Sequence, residues 1–407
     1  MKGDDRMEQK NYKFQDVCEI VTDYVANGSF KSLADNVQYS DKKDYARLIR
    51  LVDFNNNYDE KNAVWVPESS YNFLKKSVLY GNEVIISNVG ANLGTVFKCP
   101  KLTYPMTLGP NSLLVRTNYL CNQNYLYYYL KSKIGYSKLM ALVSGSAMPK
   151  FNKTELRNME ISLPDRAYQD KAVEVLIKID KKIELNNKIN NNLHDLCNNL
   201  YFKLVSQLND TNSSVESIKN VAKCVLGGTP SRTKKEYWNG SINWINSGEI
   251  NKFRIIKASE KITELGLNKS STTLLPRGTT VLAITGATLG QVSRLEIDSC
   301  ANQSVIGIIT NKKELNNYMY LSILNSINDL VLKQTGGAQQ HINKNDVETH
   351  EMIVPSTELI SQFDEIIRPL FDQISVNCFE INKLEQLRDT LLPKLMNGEI
   401  DLDNIEI

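Results

Sequence analysis

Between Pro164 and about Ser206 lies DRAYQDKAVEVLIKIDKKIELNNKINNNLHDLCNNLYFKLVS, a run with no internal Gly or Pro. Ala172, Leu176, Ile179, Ile183, Asn186, Asn190, Leu193, Cys197, Leu200 and Leu204 fall at steps of four and three without a break. That spacing is the seam of a coiled coil. At about 1.5 Å per residue the helix would be about 60 Å long, more than a compact domain needs internally. Two Asn positions in the seam weaken apolar packing but favour a partner that places polar groups opposite them, so they mark register. A second run at steps of three or four supplies the partner within the same chain: Phe363, Ile367, Leu370, Ile374, Asn377, Ile381, Leu384, Leu387, Leu391 and Leu395, again with an Asn in the seam.

A chain of 407 residues, 42% hydrophobic and 23% charged, has room for two to three cores and the composition of a soluble protein. No apolar run approaches membrane-spanning length, and the charged start MKGDDRMEQK has no signal-peptide h-region, so a cytoplasmic protein is expected. The seven Cys contain no Cys-x-x-Cys, which argues against a disulfide framework and a zinc cluster. His194 and Cys197 lie one helical turn apart, but no second pair joins them, and no metal site is expected.

Each long helix follows a globular stretch, and the two stretches align. FQDVCEI from Phe14 matches IKNVAKC from Ile218, each read as a short strand. GNEVIISNVGANLGTV from Gly81 matches GTTVLAITGATLGQV from Gly278, each a hairpin with a Gly-containing loop. NYLYYYL from Asn124 matches NYMYLSI from Asn317 as a buried helix, and the segments ending at Pro164 and Pro355 share an Asn-Lys pair. The expected organisation is a first domain over 1–163, a spacer helix and linker over 164–211, a second domain over 212–355, and a closing helix and tail over 356–407. Both domains are basic: residues 1–163 hold 21 Lys and Arg against 16 Asp and Glu, and residues 212–354 hold 16 against 12. The final stretch, 355–407, holds 4 against 11.

Catalytic signatures are lacking. No GxxxxGK[ST] loop is present, and the Gly-rich VGANLG and TGATLG lie between strands instead of opening a helix, so turn geometry explains them better than phosphate binding. Asp165, Asp180 and Lys182 loosely fit a nuclease pattern, but two of them flank the seam, where charge is expected anyway. The chain reads as a binder. Its loops diverge where its scaffold repeats: ANGSFKSLADN from Ala26 stands against GGTPSRTKKEYWNGSINW from Gly227. Asn27, Ser29, Lys31 and Ser32 in one, and Ser231, Arg232, Thr233, Lys234 and Lys235 in the other, are side chains that read base edges and hold phosphates. Asn92 and Thr288 in the hairpin loops, Lys150, and Gln339 with Gln340 complete the candidate set. Leu392 and Met396 exceed what a two-helix seam covers and are candidates for packing against a partner subunit. A scaffold without DNA binding is the alternative reading; it would show no salt-dependent retention on DNA.

The duplicated plan, GGTPSR at Gly227, YWNGSINWINSGEI from Tyr237, TGATLG, CANQSVIGI from Cys300 and above all LRDTLLPKLMNGEI from Leu387 resemble the specificity subunit of type I restriction-modification enzymes. The first domain carries VTDYVANGSFKSL in place of the GGTPSR form. The resemblance implies an α+β chain of two pseudo-symmetric α/β target recognition domains joined by two long helices in an antiparallel coiled coil. It also implies a non-catalytic subunit that binds double-stranded DNA at a split sequence with a fixed gap. Two methyltransferase subunits and two restriction-translocase subunits would be its partners. It would bind no cofactor itself, S-adenosylmethionine, ATP and Mg being used by those partners.

Overall fold

The computed structural model describes residues 7–145, 148–332 and 341–402. They fall into two compact units, one comprising the chain up to Lys181 together with the stretch from Glu385 onward, the other Lys182–Leu384.

In the first unit a four-stranded antiparallel sheet runs in the order Cys18–Asp23, Ser112–Thr117, Val84–Ser87, Val96–Lys98. A second sheet orders Val64–Val66, Ala46–Ile49, Met106–Leu108 and Val78–Leu79, with the two central strands parallel. Val, Ile and Leu recur in these strands, and Val84, Ile85 and Ile86 are all buried, as a central strand covered on both faces requires. Gln123–Lys131 and Lys133–Ala141 cover one face as two helices, broken where the Ser132 hydroxyl donates to Tyr129 O and accepts from Gly135 N.

The second unit repeats this plan. Its main sheet orders Ala222–Leu226, Val305–Thr310, Thr280–Ala283 and Val292–Arg294. Its smaller sheet orders Glu260–Ile262, Trp238–Ile245 and Cys300–Ala301, again with a parallel pair. One helix, Asn316–Leu332, stands where the first unit has two. In both units the opening strand pairs with the strand that ends each repeat: Lys10–Lys13 with Glu160–Leu163, and Ser213–Ser217 with Glu351–Pro355. Each repeat therefore closes on itself immediately before its long helix. The segments FQDVCEI and IKNVAKC, expected as strands throughout, begin instead as helical turns, Phe14–Val17 and Ile218–Val221, and become strand only afterwards.

The long helices are Arg166–Val205 and Thr357–Met396. Asp165 caps the first by accepting from Tyr168 N at 2.8 Å, and Ser356 stands in the same place in the second, accepting from Leu359 N at 3.4 Å. The second helix continues through Pro369 and Pro393 and ends at Met396, followed by a turn at Gly398, whose φ of +67° suits glycine. Of the expected seam, Leu176, Ile179, Asn186, Asn190, Ile367, Ile374 and Asn377 are buried, and Ile183, Leu193, Leu370, Ile381 and Leu384 half-buried. Leu387 is 46% exposed, whereas the next seam positions, Leu391 and Leu395, pack into the first unit's core.

The helices run antiparallel. In the second unit Asn186 donates to Glu380 at 2.8 Å and Asn377 to Asn190 at 2.9 Å, so ascending numbers on one helix meet descending numbers on the other. In the first unit Arg388 donates to Asp180 at 3.0 Å. The helix ends enter the globular cores: Tyr168, Ala172, Leu176, Leu395 and Met396 join Phe14, Leu113 and Tyr125, and Cys197, Tyr201, Phe363 and Phe371 join Leu282, Ile306 and Tyr318.

Candidate nucleic-acid interface

The Gly-rich loops are turns. Gly90, Gly94, Gly286 and Gly290 all have φ between +65° and +84°, and a Cβ on Gly94 or Gly290 would collide with Met140 or Val331. In the first unit the hairpin loop is tied to the segment before Asn152: Asn88 donates to Phe151 O at 2.9 Å, Phe151 N to Asn88 O at 3.2 Å and Gly90 N to Pro149 O at 3.2 Å. This tie places exposed Asn92 and exposed Lys150 on neighbouring segments at the hairpin rim. A groove of about 420 Å³ opens beside them, lined by Asn92 with Arg50, Asn55 and Asn111. In the second unit the same tie recurs, Ile342 N donating to Ile284 O at 3.0 Å. Thr288 sits in that loop with its hydroxyl on Thr285 O, while Gln339 and Gln340 lie outside the described residues.

The divergent loop of the first unit holds together through its own polar groups. Asn27 donates to Tyr24 O at 3.0 Å and to Ser77 Oγ at 2.8 Å, and accepts from Lys76 N at 2.9 Å. Its amide shapes the loop, which corrects the expectation that it offers a free edge to a base. Ser29 caps the short helix Phe30–Asn36 by accepting from Ser32 N at 3.2 Å, so Ser29 and Ser32 are the two ends of one cap. Lys31 is exposed, and beside it Phe30 is 83% exposed.

In the second unit GGTPSR is pinned by close backbone approach. A Cβ on Gly227 would stand 2.0 Å from Asn302 O, and one on Gly228 would stand 2.5 Å from Ser271 Oγ. Trp244, 2% exposed, donates to Gly228 O at 3.0 Å and acts as a core anchor. Beyond this clamp Ser231, Arg232, Thr233, Lys234 and Lys235 are all exposed. Ser231 and Thr233 share a 2.9 Å hydroxyl bond, and Lys234 donates to Tyr237 OH at 3.1 Å, a bond that raises the Lys234 pKa.

Arg232 is held on two sides. Both terminal nitrogens donate to the Glu260 carboxylate, Nη2 to Oε1 at 2.9 Å, and the guanidinium lies 3.7 Å from the centre of the Trp238 ring. The pair raises the pKa of Arg232 and holds the Glu260 carboxyl below the usual range. Arg50 in the first unit is held similarly, its Nε donating to buried Asp53 at 2.9 Å. Glu260, Arg50, Asn55 and Asn111 did not emerge from sequence reasoning. Glu260 reaches Arg232 only through the sheet, whereas Asn111 had a local signal in its Gly-Pro-Asn turn.

Other candidates resolve into packing. Asp180 accepts from Tyr128 OH and Arg388, and Lys182 pairs with Glu380 at 3.5 Å, which accounts for the nuclease-like pattern as contacts of the helix pair. The His194 ring meets Phe253 edge-on at 5.3 Å and Cys197 is wholly buried. Met396 is 1% exposed within the first unit's core, its carbonyl accepting from Gln9, and Leu392 is half-buried against the same core. The expectation that Met396 packs on a partner is corrected, because its own chain already covers it.

Comparison with known proteins agrees with this organisation. The family model described as type I restriction modification DNA specificity domain matches residues 7–195 and 211–387. The Type I restriction enzyme HindI specificity subunit of Haemophilus influenzae is 21% identical over 371 residues, spanning 72% of this chain and 80% of that protein. The MjaIX specificity subunit of Methanocaldococcus jannaschii is 23% identical over 302 residues, spanning 69% and 70%. The crystal structure of the type I S subunit from M. genitalium shares the fold, with a TM-score of 0.62 at 14% identity over 97% of this chain and 98% of that one. No helix among the described residues is long and apolar enough to cross a membrane. With the repeat doubled in sequence, in strand order and in the family match, the chain belongs to the type I restriction-modification DNA specificity family and is a specificity subunit of such a system.

Proposed function

We propose that each unit reads one half of a split DNA target, the first through Lys31, Asn92 and Lys150, the second through the Ser231–Lys235 loop and Thr288. The observation that carries this reading is that the two units share one strand order but carry unlike polar loops at the same place after the first sheet strand. A common scaffold with different reading edges suits two different half-sites. The lysines supply sequence-independent attraction to phosphates, and the Arg, Asn and hydroxyl groups supply base discrimination.

The chain itself performs no chemistry in this reading and binds no cofactor. It acts in the cytoplasm and recruits two methyltransferase subunits, which use S-adenosylmethionine, and two restriction-translocase subunits, which use ATP and Mg. The test is to express the chain with a methyltransferase partner and sequence the methylated genomic positions. Two short blocks separated by a fixed unconserved gap are expected. A single continuous block would contradict a division of reading between the units.

A further inference from the structure

Arg232 presents an unusual arrangement for a residue on a DNA-reading loop, because a carboxylate already neutralises it. Glu260 takes both terminal nitrogens of the guanidinium, and the Trp238 ring lies against its flat face at 3.7 Å. Trp238 is itself fixed, its Nε1 donating to Ser231 O at 3.2 Å and its ring meeting Trp244 edge-on at 5.2 Å. Glu260 stands opposite Trp244 on the neighbouring strand, so carboxylate and rings belong to one rigid sheet. The side chains of Arg232 and Glu260 are nevertheless 54% and 35% exposed.

A guanidinium has two edges that each carry a parallel pair of N–H donors. Glu260 occupies the end edge, formed by the two terminal nitrogens. The side edge, formed by Nε–H and one outer Nη–H, is not used by Glu260. That edge has the spacing that matches O6 and N7 of guanine in the major groove. A free arginine loses rotamer freedom when it docks; one already fixed by a carboxylate and a ring loses less. The neutralising carboxylate also decides between two roles. An arginine gripping phosphate acts through its net charge, which Glu260 cancels, whereas an arginine reading a base edge acts through the direction of its N–H bonds, which Glu260 fixes.

We infer that Glu260 is a positioning residue for specificity: it grips the end edge of Arg232 so that the side edge reads a guanine in the half-site of the second unit. This inference rests on the proposed role of the Ser231–Lys235 loop.

The test uses the full chain with its methyltransferase partner and a pool of double-stranded oligonucleotides with randomised positions, from which bound duplexes are selected and sequenced. Arg232→Ala should reduce the preference for guanine at one position by about 5- to 150-fold, the range for a lost bidentate base contact. Glu260→Gln should reduce the preference at that same position by about fivefold or more. It should leave binding to the unselected pool unchanged or stronger, since a negative charge has been removed near phosphates. The double variant should be no less selective than Arg232→Ala alone. Glu260→Asp, which keeps the charge but shortens the reach, should fall between wild type and Glu260→Gln, and thermal melting of each variant reports folding.

A fall in pool binding and base preference together would make Glu260 merely structural. A lost preference at a position that Arg232→Ala leaves alone would also overturn the inference, as would an unchanged preference in Glu260→Gln. If Arg232→Ala itself leaves every base preference intact, the assignment of the loop to base reading fails, independently of Glu260.

Discussion

Asn377 donates its side-chain amide to Asn190 across the helix pair at 2.9 Å, with the two residues only 4% and 3% exposed. Asn190 in turn donates to Cys378 Sγ at 3.5 Å. A sliding of one helix would bury these amides against aliphatic neighbours, so the pair specifies one register.

Removing one partner should therefore cost more than removing both. Asn377→Leu leaves Asn190 Oδ1 buried without its donor and should destabilise the chain by about 1–3 kcal/mol. The double change to Leu should recover most or all of that loss, because two apolar groups pack in place of two amides. Urea unfolding of the three proteins checks this, and equal or additive losses in the double variant would contradict it.

Lys98 lies over the Tyr127 and Tyr128 rings, at 4.5 and 5.4 Å from their centres, on the first unit's main sheet. Burial lowers its pKa to about 8, although the charge of Asp180 opposes the shift. Because the unfolded chain holds that proton more tightly, this residue's contribution to stability should rise with pH between about 8 and 10.5 and be flat below. Lys98→Met should thus stabilise the protein at pH 7, by at most roughly 3 kcal/mol, the equivalent of the shift. The advantage should shrink above pH 8, measured as the difference in melting temperature across the pH series.

Met396 is a core residue of the first unit and should behave as one. Met396→Ala should cost about 2–5 kcal/mol in unfolding free energy, the range for deleting a buried large side chain. Truncation of a residue that only met a partner would leave the isolated chain's stability unchanged.

Lys235 is exposed at the end of the Ser231–Lys235 loop, which is proposed to read DNA. Lys235→Gln should weaken binding to all DNA sequences alike and reduce the log-log salt slope by about one. A changed base preference with an unchanged slope would show that this lysine reads bases.

Much of this fold was legible because two periodicities survive in the sequence. The four-three steps of the seam placed the long helices and the repeated segments located the hairpins, and the seam asparagines marked where polar groups meet; the strand order and the pairing of Asn377 with Asn190 come from the structure. The turns Phe14–Val17 and Ile218–Val221 were not legible, since four residues of apolar alternation fit a helical turn as well as a strand. Met396 was misassigned because counting a seam along one helix takes no account of Tyr125 and the rest of the core it enters. The loops proposed to read DNA stand out in the sequence by their divergence and polarity. The engagement of Asn27 with Ser77, and of Arg232 with Glu260, depends on contacts between residues far apart in sequence, which no local pattern records.

The proposed independence of the two units in reading DNA can be tested directly, because the paired strands Ser213–Ser217 and Glu351–Pro355 bring the ends of the second repeat side by side. Exchanging this whole stretch for the same stretch of another specificity subunit keeps both junctions next to an intact pair of helices. Sequencing the methylated motif in cells that carry the exchanged protein and its methyltransferase partner is the decisive measurement. The expected result is a motif in which one block changes while the other block and the gap length are retained. A motif in which both blocks change, or neither, would contradict a division of reading between the two units.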